Sequence, residues 1–148
     1  MEQVFNNGSR WLKVDFHLHT NADKEFKYTG DNREYLQNYI EALIDKDIKI
    51  GCITNHNKFN QNEYKQLKKE AIKNDIFLLP GVELSVADGS NGIHTLIVFD
   101  EKDWLNGEDH INKFLDSVFL GIDNRENENA RCRSSLLDVL KTLNTLNK

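Results

Sequence analysis

The chain has 148 residues, 19 of them basic and 24 acidic, for a formal charge of −5 with neutral histidines; that length holds one domain and excludes a large multidomain enzyme. The negative balance repels nucleic-acid phosphates at long range, so any nucleic-acid contact must be local. With 39% hydrophobic and 29% charged residues the chain can bury a core, and it contains neither an apolar run near the ~18–20 residues of a membrane span nor a basic, apolar leader, which reads as a cytoplasmic protein with no membrane contact.

Large apolar and polar residues alternate over Trp11–Phe16, which predicts a strand, and the polar stretch from His17 to Gly30 reads as loop. Asp31 precedes Glu34 by three residues, a capping-box pattern, and Leu36, Ile40, Leu43 and Ile44 recur at helical spacing, so a helix is expected from about Asn32 to Asp45. Ile48–Thr54 is rich in β-formers. A polar segment Asn55–Lys58 follows, and then a helical pattern through Tyr64, Leu67, Ala71 and Ile72. Ile76–Leu79 reads as a strand broken by Pro80-Gly81 and resumed over Val82–Val86, Asp88–Gly92 as a turn, and His94–Phe99 as the next strand. Ile111, Phe114, Leu115, Val118 and Phe119 predict a helix; Gly121–Arg133 reads as a polar linker, and Leu136, Leu137, Leu140 and Leu143 as a final helix. Cys52 and Cys132 stand in unlike contexts without a C-x-x-C spacing, so neither a disulfide framework nor a zinc knuckle is indicated.

Strands alternating with helices at this spacing imply βαβ units, an α/β class and a mostly parallel sheet, open or rolled into a barrel. The organisation expected is a lead-in over 1–10, an α/β domain over 11–120, and a linker with a C-terminal helix over 121–148. The leucine-periodic helix is scarcely finished at Lys148, which reads as a fragment of a longer polypeptide.

Four of the five histidines fall at strand ends, and in parallel α/β folds the loops at the carboxyl ends of strands gather at one face. In His17-Leu18-His19, residues i and i+2 of extended backbone point to one side, so both imidazoles can face one ion while Leu18 faces the core. His56 follows the second predicted strand. Glu83, in apolar Gly-Val-Glu-Leu surroundings, is an awkwardly desolvated carboxylate unless a cation accompanies it, and His94 returns beside it across a short loop. Converging imidazoles and carboxylates suit a divalent ion of the zinc, manganese or iron type.

Asp15-Phe-His-Leu-His-Thr20, Ile53-Thr-Asn-His-Asn57, Leu79-Pro-Gly-Val-Glu-Leu-Ser85 and His94-Thr-Leu-Ile-Val98 resemble, in order, the first motifs of the polymerase and histidinol phosphatase (PHP) superfamily. The resemblance covers about Trp11 to Phe99, and Gly8–Trp11 is similar to the lead-in of PHP domains fused to SMC-like or AAA-like ATPase regions. It implies a distorted (β/α)7 PHP-type barrel, of which this chain holds the N-terminal part, and a two- or three-metal centre that hydrolyses phosphoesters with water activated at the ions, nucleic acid being one candidate substrate. Carried over, His17, His19 and Glu83 hold one ion, Glu83 bridges to a second that His94 also ligates, and His56 serves a third. A further ligand is expected just beyond the HxH, where Asp23 and Glu25 are offered and the spacing from His19 favours Glu25.

Two departures stand out. The family's Thr-Asp-His has Asn55 in place of its aspartate, so a carboxylate that would orient His56 and raise its basicity becomes a neutral amide, with reduced activity or metal affinity expected. The closing Asp-x-His motif is absent before Lys148; Glu108-Asp-His110 comes too early, and His110 reads as a surface residue at a helix start. These departures motivate a rival reading, a catalytically degenerate PHP module with a structural or regulatory role in a larger ATPase-containing protein. A third, an amidohydrolase-like enzyme acting on C–N bonds, lacks a lysine ligand candidate. Lys65, Lys68, Lys69 and Lys73 are interleaved with acids and read as a solvated helix face.

Overall fold

The computed structural model describes residues 11–89, 92–127 and 129–146. The 1–10 lead-in, Ser90 and Asn91 at the centre of the predicted turn, and the last two residues lie outside the described residues. The elements run β1 (Lys13–Leu18), α1 (Tyr35–Asp45), β2 (Ile48–Ile53), α2 (Gln61–Lys73), β3 (Phe77–Val86), β4 (Ile93–Val98), α3 (Glu101–Trp104), α4 (His110–Val118) and α5 (Leu136–Leu146). The four strands form one curled sheet, half a barrel, in the order β1-β2-β3-β4. The first three strands are parallel, joined by crossover helices, and β4 runs antiparallel to β3 because the turn after Asp88 returns the chain directly.

α1 starts at Tyr35, later than the Asp31…Glu34 pattern predicts. The Asp31 carboxylate accepts from the Arg33 backbone N–H at 2.9 Å and pairs with the Arg33 guanidinium, so residues 31–34 form a lead-in turn and the helix begins without a side-chain cap. α2 is capped as its sequence suggests, the Asn60 side chain accepting from the Glu63 backbone N–H. The two helices bring Ile40, Leu43, Tyr64, Leu67 and Ala71 into the core. Leu78, Val82, Leu84 and Val86 of β3 are fully buried in the same core, as expected for a central strand.

Pro80-Gly81 does not break the third strand: β3 is continuous over ten residues. Pro80 has no N–H to donate, but it stands where pairing passes from β2, which ends at Ile53 opposite Pro80, to β4, whose last residue, Val98, lies opposite Gly81. Its carbonyl still accepts from the Phe99 N–H at 2.9 Å. Gly81 is required by close approach, since a Cβ there would lie 2.5 Å from Cys52 Sγ and 2.7 Å from the Ile97 carbonyl oxygen.

The segment after Gly121 packs onto this frame. The Cys132 N–H donates to the Ser85 carbonyl and the Ala87 N–H to the Ser134 carbonyl, and Cys132 and Val139 enter the core beside α4. Both cysteines are free and buried, and burial pushes the Cys52 thiol up to about 12. Among the described residues no helix is long and apolar enough to cross a membrane.

Candidate metal centre

β1 runs two residues further than predicted, so His17 lies within the strand and His19 just beyond it. The chain then turns sharply, with the Asp23 N–H bonded to the Thr20 carbonyl. After β2 the Thr54–Asn57 segment is threaded between its neighbours. The Thr54 N–H donates to the Leu18 carbonyl, the Glu83 N–H to the Asn55 carbonyl and the Asn57 N–H to the Glu83 carbonyl, so His56 pairs with Glu83 as an isolated parallel bridge. Asn57 takes a positive φ of 50°, which asparagine tolerates, and its side chain accepts from the Ser85 N–H while donating to the Ala130 carbonyl. On β4, His94 stands opposite Ser85, on the same sheet face as Glu83.

These local devices bring His17, His19, His56, Glu83 and His94 to one point. His17 Nε2 lies 2.8 Å from Glu83 Oε2 and 3.0 Å from His19 Nε2, and His19 Nε2 is 3.2 Å from the same oxygen. The second oxygen of Glu83 lies 2.7 Å from His94 Nδ1. His19 Nδ1 is 2.8 Å from Asp23 Oδ2, which also accepts from the His56 backbone N–H at 2.6 Å. Among the described residues three groups of potential ligand atoms result: His17, His19 and Glu83; His19, Asp23 and His56; His56, Glu83 and His94. Each pair of groups shares one residue.

The donor set fits divalent ions. Four ligands around zinc at ~2.0–2.1 Å stand roughly 3.3 Å from one another, close to the 2.8–3.2 Å separations in the first group. The Glu83 and Asp23 side chains are 5% and 1% exposed, whereas those of His17 and His94 are half-exposed at the rim. His56 Nδ1 is buried with no hydrogen-bond partner, 3.6 Å from both Glu83 Oε2 and Glu25 Oε2. A buried ring nitrogen with no hydrogen-bond partner is costly unless something outside the protein meets it. Burial by itself raises the Glu83 carboxyl, but its contacts with His17 and His94 and the nearby His56 outweigh that and hold it below the ordinary value. Asp23 behaves alike: burial raises it, while the N–H groups of His56 and Glu25 and the His19 ring bring it lower.

The structure places two of the expected site residues as follows. Asp23, not Glu25, enters a ligand group; the Glu25 carboxylate is half-exposed and reaches no closer than 3.6 Å to His56. The Asn55 amide faces Thr20 rather than the His56 ring, accepting from the Thr20 N–H and donating to its hydroxyl, each at 2.8 Å. His110 opens α4 and joins none of the ligand groups.

A groove of about 630 Å³ runs from His17 and His19 along β1 and α1, lined by Phe26, Tyr28, Tyr35 and Tyr39 with Lys13 and Lys46. The aromatic residues of this groove carried no functional signal in the sequence. Tyr39 donates its hydroxyl to the His19 carbonyl and Tyr35 accepts from the Asn21 N–H, so the wall of the groove also fixes the ligand loop. Compared with protein-family models and with curated proteins, the chain matches none.

Proposed function

We propose that this chain is the metal-binding part of a PHP-type, metal-dependent phosphoesterase. The observation that carries the reading is Glu83, a buried carboxylate with one oxygen against His17 and His19 and the other against His94. A carboxylate placed between two nitrogen-rich groups is the arrangement for bridging adjacent divalent ions. Manganese, zinc and iron all suit an imidazole and carboxylate set, and the resemblance favours two or three ions. Such ions supply acidified water and neutralise charge on the phosphoryl oxygens.

The chain's own residues have distinct parts. Glu83 and Asp23 provide the buried negative charge that holds the cations. His17 and His94, at the rim, face entering phosphate. Thr20, Tyr35 and Tyr39 fix the His19–Asp23 turn, and the aromatic groove beside His17 offers a stacking surface for a planar group attached to the phosphoester. With a net charge of −5, contact with a nucleic acid would be confined to such local surfaces.

The test is hydrolysis of bis(p-nitrophenyl) phosphate with added Mn²⁺ or Zn²⁺. Activity in the wild type that disappears in His17→Ala and Glu83→Gln supports the reading. Equal activity in the wild type and both variants overturns it.

The open half-barrel favours a second reading, in which the chain binds metal but serves a structural role in a larger polypeptide. The Leu96 and Val98 side chains share the face of Glu83 and are exposed. Metal binding without turnover on either phosphodiester or amide substrates distinguishes this reading.

A further inference from the structure

Asn55, Thr20 and Glu63 form a chain of hydrogen bonds whose polarity is fixed at both ends by backbone N–H groups. The Thr20 N–H can only donate, and it donates to Asn55 Oδ1 at 2.8 Å. That sets the amide orientation, so Asn55 Nδ2 donates to Thr20 Oγ1 at 2.8 Å. The single hydroxyl proton of Thr20 must then go elsewhere, and it goes to Glu63 Oε2 at 2.5 Å. The same Glu63 oxygen accepts from the Ala22 N–H at 3.2 Å. Thr20 and Asn55 are fully buried, so bulk solvent does not reach a missing partner's place.

We propose that Glu63 is a positioning residue of the metal centre, and that its carboxylate is what requires an amide rather than a carboxylate at position 55. Glu63 lies in the first turn of α2, 43 positions from Thr20 in sequence, yet it anchors the turn between His19 and Asp23 from behind. An aspartate at position 55 would place Thr20 Oγ1 between two carboxylates with one proton to share. One close oxygen–oxygen contact would then lack hydrogen. Asn55 is therefore an adaptation to Glu63 rather than a lesion of the site, and introducing the aspartate that the PHP pattern carries weakens the turn instead of improving it.

The link to ligand geometry rests on the metal reading above; the coupling of Asn55 to Glu63 does not. The experiment compares wild type, Asn55→Asp, Glu63→Gln and the double variant. Two quantities are measured: the thermal midpoint without metal, and Mn²⁺ affinity by calorimetry. Asn55→Asp is expected to lower the midpoint and weaken Mn²⁺ binding between about tenfold and about a hundredfold, the range for residues that orient metal ligands. In the double variant the Thr20 hydroxyl can donate to the carboxylate introduced at position 55 and accept from the amide introduced at position 63, while the Ala22 N–H loses its acceptor on Glu63 and keeps only the longer contact with Thr20 Oγ1 at 3.4 Å, so the double variant should recover part, and not all, of both losses relative to Asn55→Asp. If Asn55→Asp does not fold, recovery of folded protein in the double variant reads the same coupling. Losses that simply add, or an Asn55→Asp variant equal to wild type, overturn the proposal. Failure of the wild type to bind Mn²⁺ overturns the metal reading and with it the role of Glu63 in placing ligands, while the thermal cycle still decides the coupling.

Discussion

Glu83 and His94 meet across the β3–β4 hairpin, with His94 Nδ1 2.7 Å from Oε1 while the other carboxylate oxygen faces His17 and His19. One side chain thus joins two imidazoles at the end of β1 to a third on β4. Glu83→Gln keeps the shape but removes the negative charge and replaces one acceptor with a donor. Divalent-metal affinity should fall by about a hundredfold or more, with the far-UV spectrum retained; calorimetric titration with Mn²⁺ checks it. Unchanged affinity would show that Glu83 is no ligand.

Asp23 and Glu25 make a sharper comparison. Asp23 is buried and contacts both His19 and the His56 backbone, whereas Glu25 is half-exposed. Asp23→Asn should weaken metal binding at least about tenfold, and Glu25→Gln should have a much smaller effect. Titrating the two variants side by side ranks them, and the reverse order would restore Glu25 as the ligand.

Gly81→Ala tests the reading of β3 as one continuous strand. The added methyl would meet the Ile97 carbonyl at 2.7 Å and Cys52 Sγ at 2.5 Å, and the backbone side of that clash cannot rotate away. A loss of about 1–3 kcal/mol is expected from overpacking, measurable as a lower urea midpoint. A neutral effect would mean that β3 and β4 separate easily at this point.

Stability should fall in acid through the same carboxylates that form the site. Glu83 and Asp23 are both held below their ordinary values in the folded chain. Their contribution is therefore complete above the unfolded carboxylate range of ~4 and is lost as pH falls through the lower folded values. Urea midpoints recorded from neutral to acidic pH without metal should drop in that window, and less steeply in Glu83→Gln. Parallel curves for the two proteins would contradict this account.

Much of the site was legible because its chemistry lies at strand ends. The HxH spacing, the apolar setting of Glu83 and the short return to His94 each implied a position that local backbone geometry then realises. Less visible was whatever depends on how the loops are threaded. Asp31 looked like a helix cap because a sequence pattern does not show that Arg33 engages its carboxylate. Pro80-Gly81 looked like a break because the handover from β2 to β4 is a property of the assembled sheet. Asp23 yielded to Glu25 on spacing, although the tight turn after Thr20 directs Asp23 inward. Glu63 gave only the ordinary signal of an acid in a first helical turn, and its contact with Thr20 spans 43 positions of sequence.

The most direct test of the central claim is metal content by mass spectrometry, on protein prepared without a metal-affinity column or chelator, comparing wild type with His19→Ala. His19 belongs to two of the three ligand groups, so its removal should strip most of the bound ions. The account predicts more than one equivalent of manganese, zinc or iron in the wild type and a large loss in the variant. Metal-free wild-type protein that also takes up none of these ions on titration, or the same metal content in both proteins, would contradict it.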